Sequence, residues 1–146
     1  MRVLPLTDDA GRLIAPDWLG RAEPVHRQLR AQLPVDYPGR MAEVCANGGR
    51  LIAAVDGETV LGLALWRLIE NTYEGRRLYV DDLVVDQAQR SRGVGQLLLG
   101  WLEAQARSHD CAVLALDSGV QRGGAHKFYF REGMTIASYS FRKALQ

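Results

Sequence analysis

Apolar runs in the middle of the chain predict three consecutive β-strands. The runs at 51–55 and 59–69 are separated by a short Asp-Gly-Glu sequence that is typical of a hairpin turn. The second run is apolar at both odd and even positions, so we expect both of its faces to be buried. A polar turn at 70–75 precedes a third run, 76–85, which is long enough to form another hairpin with its predecessor.

Helical periodicity occurs on both sides of these strands. Residues 18–33 and 41–46 are predicted to form two helices, and Pro24 is expected to break or kink the first of them. A third helix is predicted after Gly93, because the apolar residues that follow recur at i, i+3, i+4, i+7 and i+8 and therefore share one face. A fourth helix is predicted over 125–132, where a glycine directly afterwards suits its C-terminal end.

Three further stretches, 2–6, 111–116 and 135–142, are predicted to be strands. The second is continuously apolar, as expected for a central parallel strand after a helical crossover, and the third alternates between apolar and polar residues. The order of elements is therefore one strand, two helices, three strands, and then helix, strand, helix, strand. This order predicts an α/β (α+β) fold in which a mixed sheet is covered by helices, formed by a single domain at 1–146.

Composition limits the class of protein without identifying it. Of 146 residues, 47% are hydrophobic and 24% are charged, as is ordinary for a soluble globular protein. A formal net charge of +1 argues against nucleic-acid binding. No apolar run has transmembrane length and no signal peptide is evident, so a cytoplasmic location without membrane contact is expected. Cys45 and Cys111 lack the spacing of a metal site and do not indicate a disulfide scaffold.

A glycine-containing turn, RSRGVGQ at 90–96, separates the third apolar run from the third helix. Free backbone N–H groups and the positive end of the dipole make a helix N-terminus a ready site for anions. Gly93 and Gly95 allow an anion to approach the backbone, and Arg90 and Arg92 add positive charge. We therefore predict a pyrophosphate site. The Walker pattern and the dinucleotide fingerprint do not fit, because the Lys-Ser/Thr pair and the third glycine are missing.

Two motifs in the second half of the chain resemble those of the GNAT N-acetyltransferase family. The pattern Arg90-x-x-Gly93-x-Gly95, between an apolar strand and a helix, resembles the acetyl-CoA signature of the family. The segment AHKFYFREGM at 125–134 resembles the later block A-x-x-F-Y-x-x-x-G-F, with methionine in place of the last aromatic residue. The resemblance extends over the whole order of elements. It implies a GNAT-like, mostly antiparallel sheet whose central strands splay apart after Val85.

The resemblance also implies that acetyl-CoA is the cosubstrate. Its pantetheine would enter the gap between the splayed strands and pair with backbone groups there, as an added strand does. Many members have an asparagine where this chain has Arg122, and we expect this arginine to contact a phosphate of the cosubstrate instead. The residues expected to bind acetyl-CoA are Leu83, Val84, Val85, Arg90, Ser91, Arg92, Gly93, Val94, Gly95, Gln96, Arg122 and Tyr129.

Acetyl transfer from a thioester to an amine requires a neutral nucleophile, stabilisation of an oxyanion and a proton for the departing thiolate. Tyr129 matches the tyrosine of the second family motif and is predicted to protonate the sulfur. Asp81 matches an acidic residue of members that resemble spermidine/spermine acetyltransferases, and is predicted to act on the acceptor amine directly or through water. Since neighbouring strand residues point to opposite faces, Asp82 is predicted to be structural, with an arginine as a candidate partner. Water alone is the alternative base.

The acceptor is less specified than the donor. Resemblance to polyamine acetyltransferases favours a cationic acceptor, whereas the C-terminal run resembles aminoalkylphosphonate acetyltransferases, whose acceptors carry an anion. We therefore predict a small-molecule primary amine, and keep a peptide or protein amine and a non-catalytic acyl-CoA-binding sensor as alternatives.

The final strand could also pair with a second copy in a homodimer. His26 and His109 are expected to have no functional partner. Residues expected to line the acceptor site are Asp36, Tyr37, Tyr73, Glu74 and Tyr79.

Overall fold

The computed structural model describes all residues from 1 to 146. The strands are β1 (Arg2–Pro5), β2 (Arg50–Asp56), β3 (Thr59–Asn71), β4 (Gly75–Val85) and β5 (Val113–Leu116). The helices are α1 (Pro16–Leu29), α2 (Tyr37–Ala46), α3 (Val94–Ser108) and α4 (Gly123–Arg131), and a single 3₁₀ turn, Gln87–Gln89, follows β4. The chain divides into two compact units, Met1–Ala115 and Leu116–Gln146, which are described separately.

The five strands form one mixed sheet in the order β1-β2-β3-β4-β5. The first three pairings are antiparallel, which confirms both predicted hairpins. Residues 60–66 of β3 are all buried, as their apolar character on both faces predicts. The predicted α/β order of elements is thus confirmed through the fourth helix.

β5 is short and accompanies only the first part of β4. The backbone N–H of Ala112 donates to the carbonyl of Arg76 at 2.8 Å, so β5 begins beside the start of β4. Both strands rise by a similar length per residue, and the four residues of β5 therefore end near the middle of β4. The edge of β4 over 81–85 extends beyond β5, as expected of central strands that splay apart.

The first turn of α3 packs closely on the sheet at a glycine of β3. A Cβ built on Gly62 would lie 2.8 Å from the carbonyl oxygen of Val84, 3.0 Å from Val94 Cγ1 and 3.3 Å from Leu98 Cδ1. Real Cβ atoms essentially never show the first of these distances, so a side chain would force β4 to shift, and the second distance would crowd Val94 at the start of α3. Gly62 therefore sets the N-terminus of α3 beside the end of β4.

The main hydrophobic core lies between the sheet and the first two helices. α1 contributes Leu19, Ala22 and Val25, and α2 contributes Tyr37 and Met41. α1 continues through Pro24, so the predicted break is wrong. Burial of the apolar face of α1 on both sides of the proline offsets the lost backbone hydrogen bond and the steric cost.

The predicted strand at 135–142 is also wrong, because this segment has no regular secondary structure. Alternation of side chains indicates extended backbone, but a strand also needs a partner for its N–H and C=O groups. No strand of the sheet pairs with this segment. Its large apolar side chains are exposed, including Ile136, Tyr139 and Phe141.

Candidate active site

A β-bulge in β4 places two adjacent carboxylates on one face of the sheet. The β3–β4 register shifts next to Leu65, which lies opposite Asp82, and the shift leaves Asp81 without a partner on β3. Arg67 lies on the same face of β3 as Leu65, and its Nε donates to Asp81 Oδ2 at 2.9 Å. The prediction that the two aspartates point to opposite faces is therefore wrong, because a bulge interrupts the alternation of a regular strand.

Asp81 lines a cleft of about 440 Å³ in the Met1–Ala115 unit. The cleft is formed by α2 with the residues that follow it and by the two central strands. Its lining residues are Arg40, Glu43, Val44, Asn47, Gly49, Leu65, Arg67 and Asp81. None of the five residues predicted to line the acceptor site is among them, and Tyr37 is fully buried instead. We refer to this space as the Asp81 cleft.

The surroundings of Asp81 favour its protonated form more than water does. Burial raises the pKa of this carboxyl above its ordinary value, and the negative charge of Asp82 acts in the same direction. The hydrogen bond and positive charge of Arg67 oppose the shift without cancelling it. A carboxylate with a raised pKa is a stronger base than an ordinary aspartate, which suits the removal of a proton from an amine.

Asp82 belongs to a buried hydrogen-bonded chain between α1, α2 and β4. Its Oδ2 lies 2.7 Å from His26 Nε2, and its Oδ1 accepts from Arg30 Nε at 2.7 Å. On the other side of the imidazole ring, His26 Nδ1 lies 2.8 Å from the hydroxyl of Tyr37. The arginine partner proposed for Asp82 is therefore present. The expectation that His26 has no partner is wrong, since it is a buried member of this chain.

The chain of hydrogen bonds fixes the charge of Asp82. Burial tends to raise the pKa of this carboxyl, but hydrogen bonds and charges from His26 and Arg30 outweigh it and lower the pKa below the ordinary value. A carboxylate can only accept hydrogen bonds, so His26 Nε2 carries a proton and donates. Burial also raises the pKa of Tyr37, which keeps its hydroxyl proton. Arg30 in addition donates from Nη2 to the backbone oxygen of Asp81 at 3.0 Å.

The start of α3, where an anion site is predicted, has no side-chain cap. Gly93 is the N-cap residue with φ of +80°, a left-handed conformation in which glycine is favoured, and no side chain caps the helix. The first-turn N–H groups, including those of Gly95 and Gln96, are therefore free of a side-chain cap. Arg90 and Ser91 are exposed in the preceding turn.

Arg92 is exposed in the same turn, but it already has protein partners. It forms a hydrogen bond with Gln89 and contacts Asp56 Oδ2 at 3.4 Å. Val94 is buried and packs against Gly62. The fold thus brings the turn at 90–96 next to Val84 and the end of β4.

The Leu116–Gln146 unit contains the other two predicted site residues, both associated with α4. Tyr129 is partly buried, and burial raises the pKa of its phenol above the ordinary value. The charge of Arg122 and a hydrogen bond from its side chain oppose this shift. A phenol with a raised pKa keeps its proton at neutral pH and can donate it to a stronger base. His126 directs Nε2 to the backbone oxygen of Gly119 at 2.9 Å.

Sequence reasoning missed the residues that surround Asp81. Arg67 could have been noticed, because it is the single charged residue within the apolar run 59–69. Arg40 and Glu43 gave no such signal, since they lie on the polar positions of an ordinary amphipathic helix. His26 gave none either, because only the packing of α1 on the sheet brings it to a carboxylate 56 positions away.

Comparison with known proteins identifies the family. The model of the acetyltransferase (GNAT) family matches residues 16–134, which include parts of both units of the chain. An N-acetyltransferase named YhdJ from Bacillus subtilis (strain 168) is 34% identical over 125 residues, covering 82% of this chain and 87% of that protein. The chain therefore belongs to the acetyltransferase (GNAT) family and is an acetyl-transferring enzyme.

Two further similarities are more limited. An aminoalkylphosphonate N-acetyltransferase from Salmonella typhimurium (strain LT2) is 36% identical over 66 residues, which cover 45% of this chain and 43% of that protein. The structure of an aminoglycoside acetyltransferase from an uncultured soil metagenomic sample, in complex with sisomicin, superposes with a TM-score of 0.79 at 13% identity. It covers 99% of this chain and 96% of that one, and supports the GNAT fold.

No helix of this chain is both long and apolar enough to span a membrane.

Proposed function

We propose that this enzyme transfers an acetyl group from acetyl-CoA to a primary amine of a small molecule, by direct attack in a ternary complex. The observation that supports this proposal best is the Asp81 cleft, where a partly buried carboxylate with a raised pKa faces a space of about 440 Å³. A volume of this size suits a small acceptor. The name of the Salmonella typhimurium relative, an aminoalkylphosphonate N-acetyltransferase, also supports a small amine, although that similarity covers 45% of the chain.

The acetyl donor is proposed to bind along the backbone at the end of β4 and at the start of α3. Family membership supports acetyl-CoA as the donor, and bound acetyl-CoA supplies an activated acyl group as a thioester. The free N–H groups at the start of α3 and the exposed Arg90 suit its pyrophosphate, and the left-handed Gly93 keeps the approach open. The backbone of 83–85 suits amide groups, because β4 extends beyond β5 there.

The proposed chemistry assigns one proton transfer to each of two residues. The acceptor arrives as an ammonium ion, and Asp81 accepts its first proton, directly or through one water molecule, which leaves the neutral amine as the nucleophile. The nitrogen then forms its bond to the acyl carbon and loses its second proton to water. The C–S bond breaks, and Tyr129 donates its phenolic proton to the departing thiolate. The products are the N-acetylated amine and the free thiol of CoA. Asp82 takes no proton, because its lowered pKa and two hydrogen bonds keep it ionised.

Release of free thiol from acetyl-CoA, measured with and without a panel of primary amines, tests this function. We expect amine-dependent release in the wild type and a decrease of about 10²-fold or more in Tyr129→Phe. Tyr139→Phe is the matched control, because this exposed tyrosine lies in the same unit and its hydroxyl has no proposed role. Equal rates in both variants would remove Tyr129 from the mechanism. Binding of acetyl-CoA without release for any amine or short peptide would instead support the acyl-CoA-binding sensor.

A further inference from the structure

The charges in the Asp81 cleft are balanced and arranged in two pairs. On α2, Arg40 Nη1 lies 3.1 Å from Glu43 Oε2. On the strands, Arg67 Nε lies 2.9 Å from Asp81 Oδ2. The two arginines and the two carboxylates make the ionisable lining of the cleft electrically neutral.

Arg67 is held so that it can bind a second anion. Its guanidinium carbon lies 5.3 Å from the centre of the Tyr79 ring, a cation–π contact. Nε is the nitrogen that pairs with Asp81, and the guanidinium has further N–H donors on its two Nη atoms. The side chain of Arg67 is 45% exposed, so these donors can be reached from the cleft.

We propose that the acceptor is a zwitterion: a small primary amine whose carbon chain also carries an anionic group, a phosphonate or a carboxylate. The amine lies against Asp81, and the anionic group binds the guanidinium of Arg67, with Arg40 contributing positive charge from α2. This inference rests on the proposed function and specifies its acceptor.

The balance of charge distinguishes this class of acceptor from the alternatives. A polyamine would bring at least two positive charges to a lining in which each carboxylate is already paired with an arginine. An amine with a neutral tail would separate Asp81 from Arg67 and leave the guanidinium, which is 45% exposed, with water in place of its anion. A zwitterion compensates both side chains, because its ammonium group replaces Arg67 as the partner of Asp81 and its anionic group replaces Asp81 as the partner of Arg67. Since Arg67 and Asp81 are in direct contact, the two charged groups of the acceptor should be separated by only a few bonds.

Four amines of similar length test the inference with acetyl-CoA as donor. Aminoethylphosphonate and β-alanine carry an anion, propylamine has a neutral tail, and diaminopropane has a second cation. For the wild type we expect kcat/KM to be about 10- to 100-fold higher for the two anionic acceptors than for the other two, the range of a hydrogen bond to a charged group. In Arg67→Gln this ratio should fall to near one, mainly through a higher KM for the anionic acceptors.

Two further variants separate recognition by Arg67 from general damage. Arg67→Lys keeps the charge and should retain part of the ratio, although it loses the planar fork. Arg107→Gln removes an exposed arginine that pairs with Glu103 on α3, outside the cleft, and should leave the ratio unchanged. Because the ratio compares acceptors within one variant, a general loss of activity cancels.

The outcomes that overturn the inference differ from those that overturn the function. If the wild type acetylates propylamine or diaminopropane as efficiently as the anionic acceptors, the enzyme is an amine acetyltransferase and the zwitterion is wrong. The same holds if Arg67→Gln keeps the preference. If no amine of any charge releases thiol, the proposed function fails, and the inference fails with it.

Discussion

Two adjacent residues, Asp81 and Asp82, are given opposite properties by their surroundings. Asp81 has an exposed edge, a single arginine partner and a raised pKa. Asp82 is 8% exposed, has two donors and a lowered pKa. The first arrangement suits a group that exchanges protons, and the second suits a fixed charge that organises the structure.

We expect Asp82→Asn to destabilise the fold by about 3 kcal/mol at neutral pH, because the buried His26 loses its charged partner and the partly exposed Arg30 loses its carboxylate. The folded pKa of Asp82 lies below its unfolded value, so its contribution is fully present above the unfolded pKa and is lost as the pH falls through the folded pKa. Urea denaturation at about pH 7 and about pH 3 should therefore show a difference between wild type and variant that shrinks in acid.

Asp81→Asn is the matched control for this measurement. Since folding raises the pKa of Asp81, its ionised form contributes no comparable stability at neutral pH. We expect a clearly smaller change in the free energy of unfolding than for Asp82→Asn. An equal loss in the two variants would contradict the division of roles between them.

Sequence reasoning found single residues where a motif marks them and missed those that only packing brings together. Asp81 and Tyr129 were proposed from their positions in family motifs, and their roles stay predictions. Arg40 and Arg67 could not be assigned to the same cleft, because they belong to different elements that meet only in the folded chain. The shared face of the two aspartates depends on a bulge, for which the apolar pattern of β4 gives no sign.

At the scale of elements, the contact of α3 with the sheet determines where the predicted anion site lies. Gly62→Ala should strain the pairing of β3 with β4 and displace the first turn of α3, because the new Cβ would lie 2.8 Å from the backbone oxygen of Val84 and 3.0 Å from Val94 Cγ1. We expect a loss of about 1–3 kcal/mol in the free energy of unfolding and a higher KM for acetyl-CoA. Denaturant titration and initial rates with varied acetyl-CoA measure these two effects.

Gly100→Ala is the corresponding control on α3. This residue is exposed on the helix, and nothing lies within 4 Å of a Cβ built there. Alanine should therefore stabilise the helix by about 0.5–1 kcal/mol and leave the KM for acetyl-CoA unchanged. If Gly62→Ala behaves in the same way as Gly100→Ala, the close approach does not constrain α3.

The elements were predicted well where periodicity and turn residues agree, as in the two hairpins and the amphipathic α3. They were predicted poorly where the outcome depends on a partner elsewhere in the fold. Pro24 remains within α1 because the sheet buries both halves of the helix, and the segment 135–142 is not a strand because no neighbour pairs with it. The local sequence pattern shows neither the burial of α1 by the sheet nor the lack of a pairing partner for 135–142.

At the scale of the whole molecule, the question is whether the two units act as one domain. The family model spans residues 16–134 and thus reaches parts of both units, while the single domain at 1–146 stays a prediction. Asp81 belongs to the first unit and Tyr129 to the second. The proposed reaction therefore depends on both units at once.

Native-state hydrogen exchange, read by mass spectrometry, tests this dependence. If the chain unfolds as one domain, the most protected amides of α3 and of α4 should exchange with the same free energy. Acetyl-CoA at about 100 times its Kd should then raise both values by about 2.7 kcal/mol, because a ligand that binds only the folded state stabilises everything that unfolds with it. Protection that increases in α3 while α4 exchanges as before would show two independent units, and would separate Tyr129 from the site that binds acetyl-CoA.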